Sequence, residues 1–200
     1  LEVGSVDRPL LSKSAAYSYW GLDIDRPSTE KIKKLFDGFL HQSLELPVSG
    51  EFSICFSITV FEHLPDTRLC TKNIFNCLVP GGRTIHYIPS KWNHKGIIVR
   101  LITPELQKAL IPILRPGAEG VSGYPVKFDN CSIREMRKVF SEVGFEEIEV
   151  FPYYRANDYF AFFVPLYILV SFMENVVRFM KLETFASGFI ICGTKPAQLG

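Results

Sequence analysis

The feature that most constrains the fold is an alternation, along the whole chain, of short apolar segments with amphipathic ones. Apolar segments of strand length lie at residues 1–4, 17–24, 51–60, 83–89, 146–154 and 187–196, and helix-like patterns lie at 27–40, 65–78 and 132–145. Strands that alternate with helices require crossover connections, which are typical of a parallel sheet covered on both faces. The sequence therefore predicts a three-layer α/β domain.

The helical segments have recognisable ends and apolar faces. Ser28 or Thr29 can cap the first helix, and Gly144 follows the helix pattern of residues 132–145. In the second segment we expect Leu69, Ile74 and Leu78 to face the core. The "VPGG" sequence after it predicts a turn.

Length and composition limit the class of protein. Two hundred residues, nearly half of them apolar, suffice for one domain over residues 1–200. Net charge is +1, so no general basic field predicts a nucleic-acid partner. Five scattered cysteines without C-x-x-C spacing favour a reducing, cytoplasmic compartment and give no metal site.

Polar residues follow the predicted strands where each strand ends. Gly4 and Ser5 follow the first, and Asp23 and Asp25 close the second. The segment "HQSLELP" is a third, edge element, and Thr59 ends the fourth strand, at residues 51–60. Ligands of open parallel sheets collect at the carboxyl ends of the strands, and an acid there can accept hydrogen bonds from a ribose diol. A turn or helix-cap role for Asp23 is the plainer alternative.

Five sequence motifs in this order resemble the class I S-adenosylmethionine-dependent methyltransferases, and in particular their small-molecule, type-11-like members. These motifs are "LEVGS", "GLDID", "LELP", "FSITVFEHLPD" and "CLVPGGRTIHYIPS", with "FSEVGFEEIEV" further on. The resemblance implies a Rossmann-like sheet with an antiparallel last strand, and amino-terminal helices upstream of Leu1. It also implies S-adenosylmethionine as cofactor and S-adenosylhomocysteine as product, with substrate and helical insertions at residues 90–127 and 157–183.

The resemblance assigns cofactor contacts by motif position. Glu2, Gly4 and Ser5 are expected at the methionine part, and Asp23 at the ribose hydroxyls. Ile24, Ser43 and Leu44 are expected at the adenine. Thr59, Val60 and Phe61 are expected beside the sulfonium. Two positions depart from the family pattern: Val6 replaces a glycine, and Ser53 replaces an aspartate at the start of the fourth strand. Val6 adds a β-branched side chain where the backbone approaches the cofactor.

Methyl transfer depends mainly on alignment, so a metal is not required, but an oxygen or nitrogen acceptor can need a general base. His63 and His94 are the candidates, and His86 is better explained as a core histidine within a strand. Structural roles for His63 and His94 remain open alternatives. Tyr87, Trp92, Tyr153 and Tyr154 can form an aromatic wall or simply pack against the sheet.

The apolar segment from Tyr159 to Met173 is too short for a membrane span of about 20 residues. We expect it to pack on the sheet or form a homodimer face. Peripheral membrane contact, with Arg178 and Lys181 at the headgroups, is the other interpretation.

The predicted function is methyl transfer to a small molecule or a lipid or glycan precursor. A catalytically silent methyltransferase-like binding protein is an alternative, because of Val6 and Ser53. A nicotinamide-dependent oxidoreductase fits less well, since the first turn has Gly4, Val6 and Pro9 where that class has the three glycines of G-x-G-x-x-G.

Overall fold

A computed structural model describes residues 1–4, 9–27, 29–92, 124–155 and 164–197. Within these ranges, seven strands form one sheet in the order β3-β2-β1-β4-β5-β7-β6. The strands are β1 (Glu2–Val3), β2 (Trp20–Asp23), β3 (Gly38–His41), β4 (Phe52–Ile58), β5 (Leu78–Pro89), β6 (Glu146–Tyr153) and β7 (Gly188–Thr194).

The sheet is parallel from β3 to β5, and β7 runs antiparallel to both of its neighbours. The predicted three-layer α/β fold, mostly parallel with an antiparallel last strand, is confirmed. Because β6 is antiparallel to β7, it points the same way as β5. The carboxyl ends of β1 to β6 therefore share one edge of the sheet, which we call the strand-end edge.

Two amphipathic helices cover the sheet, and residues of the usual capping types bound them. Helix α2 (Thr67–Cys77) begins at Asp66, whose Oδ1 accepts the Leu69 amide at 2.9 Å. Helix α3 (Ile133–Val143) begins at Ser132 and ends at Gly144, which adopts a left-handed φ of 109°. A C-terminal glycine of this kind closes a helix without the strain of a Cβ atom.

The first predicted helix is much shorter than its sequence pattern indicates. Thr29 caps α1, which spans only Glu30–Lys33, and the residues from Gly38 onwards form β3. Asp37 redirects the chain: its amide donates to the Tyr19 carbonyl at 2.7 Å, and its carboxylate accepts the Tyr19 amide at 2.8 Å. Pairing with β2 therefore overrides the helical periodicity of this segment.

Two further expectations about local structure are wrong. The "VPGG" segment lies inside β5, because the ladder between β4 and β5 contains a register irregularity between Phe52 and Ile54 that accommodates the extra residues. Ile74 and Leu78 are buried as predicted, Leu78 as the first residue of β5, but Leu69 is exposed. Cys70 and Cys77 complete the inward face of α2.

The core lies between the sheet and the pair α2 and α3. Its best-buried members include Cys55, Ile74, Met136, Phe140 and Ile191. All five cysteines are buried and none forms a disulfide. Burial raises the pKa of the Cys55 and Cys70 thiols, so these side chains behave as small apolar core residues.

The segment before β7 forms helix α4 (Val164–Phe179), within the predicted apolar insertion. Pro165 lies in its first turn, where a missing amide hydrogen is tolerated. No helix among the described residues has the length and apolar character required to cross a membrane.

Candidate functional site at the strand-end edge

Gly4 lies at the centre of the strand-end edge, directly after β1. Its amide donates to the Leu22 carbonyl of β2 at 2.8 Å, and its φ of 75° is in the left-handed region. A Cβ atom at this position would overlap Cγ2 of Val60, which follows β4. Glycine is therefore required here both by backbone conformation and by close approach, since only glycine satisfies both without strain.

Asp23 and Ile24 follow at the end of β2, next to Gly4. Asp23 is partly buried, and its Oδ1 accepts the Asp25 amide at 3.0 Å. The Gln42 amide donates to the Asp23 carbonyl at 2.9 Å, which holds the ends of β2 and β3 together. Ile24 is 53% exposed, so it presents an apolar surface beside the carboxylate.

Ser43 and Leu44 lie in the turn that follows β3. The Ser43 hydroxyl accepts the Glu45 amide at 3.2 Å and so shapes the turn. Leu44 is buried in the core, and its carbonyl accepts a hydrogen bond from the Asn73 side-chain amide at 2.9 Å. The Leu44 side chain therefore serves packing, and its backbone amide is the group that can meet a ligand.

Thr59, Val60 and Phe61 form the turn after β4. Thr59 has a positive φ of 54°, and its amide donates to the Tyr87 carbonyl at 3.0 Å. A left-handed conformation is unusual for a β-branched residue and marks a backbone held by its surroundings. Phe61 is fully buried against the His86 ring, with centroids 4.6 Å apart, so its side chain is a core contact.

Glu2 holds the segment that leads from β1 towards β2. Its buried carboxylate accepts the Leu10 amide at 3.2 Å and the hydroxyl of Tyr19. Burial raises the pKa of Glu2, and burial, followed by the hydrogen bond to Glu2, raises the pKa of Tyr19. Glu2 therefore holds Leu10 and Tyr19 in place beside β1, and the sequence did not indicate Tyr19 as its partner.

His63 lies in a 3₁₀ turn (Phe61–His63) beyond β4, at the rim of the edge. Its Nδ1 is 3.3 Å from the Pro125 carbonyl, and its Nε2 is 3.8 Å from a Glu62 carboxylate oxygen. The Tyr124 ring packs edge-on against it, with centroids 6.1 Å apart. The carboxylate next to this imidazole can orient it and stabilise its protonated form.

Tyr124 connects two sides of the edge, and the sequence did not single it out. Its hydroxyl donates to the Asp25 carboxylate after β2, while its ring contacts His63 after β4. Because β1 lies between β2 and β4 in the sheet, this side chain spans the end of β1. Its position in the predicted substrate insertion was the single sequence clue to such a role.

His86 is a core residue, in agreement with its strand position. Ser57 Oγ is 2.7 Å from Nδ1, and Thr84 Oγ1 contacts Nε2 while also donating to the Cys55 carbonyl. A threonine hydroxyl that donates elsewhere accepts from the ring, so Nε2 carries the proton and Nδ1 accepts from Ser57. Burial lowers the pKa of His86 to about 3, which keeps the ring neutral.

Three residues singled out by the sequence, Ser5, Val6 and His94, lie outside the described residues. Ser53 lies near the amino-terminal end of β4 and is exposed, at the opposite end of the strand from Thr59. Its departure from the family pattern therefore does not affect the strand-end edge. In the described part of the chain, no group of three or more His, Cys, Asp or Glu side chains could hold a metal ion.

The groups at the edge fit an adenosyl cofactor. Gly4, Asp23 and Val60 lie at the ends of three adjacent strands. Gly4 lies so close to Val60 that a Cβ atom on residue 4 would not fit. Asp23 offers a carboxylate for a diol and Ile24 an exposed apolar surface for a flat base. The arrangement has the α/β architecture of the Rossmann-like class.

Comparison with known proteins agrees with this class. A family model described as "Methyltransferase domain" matches residues 1–86, which include β1 to β4 and most of β5. No curated protein matches the sequence.

Solved structures share the fold at low sequence identity. A SAM-dependent methyltransferase of Thermotoga maritima, described as a possible histamine N-methyltransferase, has 18% identity and a TM-score of 0.53, over 88% of this chain and 72% of the other. A SAM-dependent methyltransferase from Archaeoglobus fulgidus has 12% identity and a TM-score of 0.50, over 88% and 75%. This chain covers as little as 39% of other matched structures.

Residues 1–86 therefore resemble a methyltransferase domain, and the described sheet has the fold of S-adenosylmethionine-dependent methyltransferases.

Proposed function

We propose that this chain binds S-adenosylmethionine at the strand-end edge and transfers its methyl group to a small-molecule or lipid or glycan-precursor acceptor. The observation that supports this best is the meeting of Gly4, Asp23 and Val60 at the ends of three adjacent strands. When bound, S-adenosylmethionine supplies a methyl group activated by a positively charged sulfur.

The residues of the edge divide the work of binding. Asp23 accepts hydrogen bonds from the ribose hydroxyls, and Ile24 packs against the adenine, with the Leu44 amide at its edge. The backbone around Gly4 admits the ligand because no side chain projects there. Tyr124, held by Asp25 and His63, covers the end of β1 and limits the access of water.

The acceptor lies on the β5 and β6 side of the edge. The Tyr87 and Tyr153 rings meet edge-to-face there, with centroids 6.0 Å apart, and Trp92 is exposed after β5. Such a wall fits an acceptor with apolar character, because aromatic faces bury apolar surface and tyrosine hydroxyls can hydrogen-bond its polar end.

His63 is the candidate base for an acceptor that must lose a proton. It lies beside Glu62 at the rim, and the neighbouring carboxylate favours the imidazolium that forms on proton uptake. The second candidate, His94, belongs to the residues that the structure does not describe.

Isothermal titration calorimetry with S-adenosylhomocysteine tests the cofactor assignment. We expect saturable binding to the wild-type chain, no binding of NAD, and at least about tenfold weaker binding by Asp23→Asn, which loses a charged hydrogen-bond acceptor. Glu51→Gln, which changes an exposed acid before β4, is the matched control and should bind normally. NAD binding would favour an oxidoreductase, and equal affinity of the two variants would contradict the role of Asp23.

Activity distinguishes an enzyme from a silent binding protein. Incubation with methyl-labelled S-adenosylmethionine and extracted metabolites or lipids should transfer label to an acceptor. Binding of S-adenosylhomocysteine without transfer to any fraction would favour the silent alternative.

A further inference from the structure

Helix α4 exposes an apolar face on the side opposite to its buried residues. Val164, Ile168, Phe172 and Phe179 follow each other at helical spacing and are 61% to 88% exposed. Val170 and Glu174 are buried, among the α4 residues whose burial the structure describes. A helix on a protein surface normally turns polar residues outward, so this arrangement is the reverse of the usual one.

The apolar face is large and continuous. Leu169, Met173, Val176 and Met180 are exposed beside the first four residues. Apolar patches of this extent mark a surface that another apolar phase covers. We call these eight residues the α4 face.

Cations lie at the carboxyl end of the α4 face. Arg178 and Lys181 line a cavity of about 550 Å³ together with Arg155 and the side chains of Tyr153 and Tyr154. Glu183 also lines it and is 3.4 Å from Arg137. Among the described lining residues, three cations and one carboxylate give an excess of two positive charges, and the tyrosines supply polar tips on apolar rings.

This combination of an apolar face with cations at its end fits a bilayer of anionic phospholipid. An interfacial helix buries its apolar side chains at the boundary between headgroups and acyl chains, with cations at the headgroups. Each Lys or Arg near an anionic bilayer surface strengthens binding by about fivefold.

We propose that the α4 face docks on anionic membranes and that the cavity of Arg155, Arg178 and Lys181 receives the phosphate of a phospholipid headgroup. The cavity lies after β6, on the strand-end edge. Ser187 links this region to β5, because the Ser187 amide donates to the Tyr153 carbonyl at 2.7 Å and the Ser187 carbonyl accepts the Ser90 amide at 3.1 Å. Docking therefore brings the acceptor side of the edge to the bilayer. The last point rests on the proposed function and favours a membrane-lipid acceptor.

Vesicle co-sedimentation tests the docking. We expect the wild-type chain to sediment with vesicles of phosphatidylcholine containing about a third phosphatidylglycerol, and at least tenfold less with pure phosphatidylcholine. Inorganic phosphate at millimolar concentration should not release it at constant ionic strength, because a free anion lacks the apolar contact. Equal sedimentation with both vesicles, or none with either, overturns the proposal.

Two pairs of variants separate the apolar and the charged contributions. Phe179→Ser should weaken binding to anionic vesicles about tenfold or more, whereas Leu46→Ser, at an exposed leucine after β3, should not. Arg178→Ala with Lys181→Ala should weaken it more than tenfold, and Lys33→Ala with Lys34→Ala should have at most a small effect. Equal losses in either pair would contradict the assigned surface.

Two further measurements distinguish this proposal from its alternatives. Phe179→Ser should bind S-adenosylhomocysteine with wild-type affinity in calorimetry. Asp23→Asn should bind anionic vesicles as the wild type does. Failure of the membrane proposal would therefore leave the cofactor proposal intact, and failure of the cofactor proposal would leave the membrane proposal intact. Sedimentation velocity without lipid should show no dimer that depends on Phe179. Such a dimer, without vesicle binding, would assign the face to a second copy of the chain.

Discussion

The two halves of the sheet present their surfaces in opposite ways. Around β1, β2 and β4, polar groups at the strand ends are held by short hydrogen-bonded turns, and Gly4 is packed against Val60. Beyond β6, helix α4 turns its apolar residues outward and places cations at its end. The first half is organised around its own backbone, and the second half exposes an apolar helix face.

This difference separates two kinds of constraint on sequence. A turn at a strand end requires particular residues for conformational reasons, so its members are tied to one geometry. An exposed apolar helix face requires only hydrophobic residues at helical spacing. One hydrophobic residue can replace another there, because the contact does not depend on a single side-chain shape. Substitutions should therefore reduce stability in the first half and reduce association in the second.

The largest effect on stability is expected at Gly4. Gly4→Ala adds a Cβ that overlaps Val60 and imposes a left-handed φ on alanine, so we expect a loss of about 2 to 4 kcal/mol in the free energy of unfolding. Gly81 is the matched control, because its φ is 77° and nothing lies within 4 Å of its Cβ position. Gly81→Ala should cost about 1 to 2 kcal/mol, measured by urea unfolding.

Comparison of the two alanine variants separates the cost of the overlap with Val60 from the cost of a left-handed φ, because only Gly4 has a neighbour at its Cβ position. Equal losses for the two alanine variants would mean that β1 and β4 can separate to admit a methyl group. The strand-end turn would then be less rigid than the contact with Val60 implies.

The core that joins the two halves should respond to pH through His86. Its folded pKa of about 3 lies below the ordinary value of 6.5, so at intermediate pH the unfolded chain binds a proton that the folded chain excludes. Stability contributed by neutral His86 is present above pH 6.5 and is lost as pH falls towards 3. The free energy of unfolding should fall by at most about 1.4 kcal/mol per pH unit through this group, which is at most about 2 kcal/mol between pH 6.5 and 5.

His86→Gln should remove this part of the pH dependence while lowering stability at pH 7. His41→Gln, at the exposed last residue of β3, is the control variant and should keep the wild-type pH dependence. Parallel curves for wild type and His86→Gln in urea unfolding between pH 7 and 5 would show that the imidazole is protonated in the folded state.

A third prediction tests whether α4 is completed from outside. Val170 is 5% exposed and Phe172 is 66% exposed, although the two residues are on the same helix. Val170→Ala should lower the free energy of unfolding by about 1 to 2 kcal/mol, and Phe172→Ala should change it by less than about 0.5 kcal/mol in lipid-free urea unfolding. A large loss for Phe172→Ala would mean that the α4 face packs within the chain.

Much of the fold could be predicted because its determinants are local. Ser132 and Gly144 bound α3 as their types require, and β4 and β7 lie within their apolar runs. The error at residues 27–40 has a tertiary cause: β3 forms because Gly38–His41 pairs with β2, and periodicity does not record that pairing. The bulge in the β4–β5 ladder, which absorbs "VPGG", is likewise a property of two strands together.

The candidate site was predictable in position and less so in detail. Gly4 and Asp23 are adjacent because parallel strands end at one edge, which follows from topology alone. The inward turn of Leu44 and Phe61 depends on Asn73 and His86, which are distant in sequence. Tyr124 escaped notice because its partners, Asp25 and His63, are about 100 and 60 residues away along the chain.

The smallest effect is expected at Tyr124, where the strand-end half meets the segment before α3. Tyr124→Phe removes the hydrogen bond to Asp25 and keeps the ring on His63, so affinity for S-adenosylhomocysteine should fall about fivefold, equivalent to about 1 kcal/mol. Tyr167→Phe, at a tyrosine of α4 with the same 36% exposure, is the control and should bind as wild type in calorimetry. Tighter binding by Tyr124→Phe would mean that the contact with Asp25 closes the edge against the cofactor and must break before it enters.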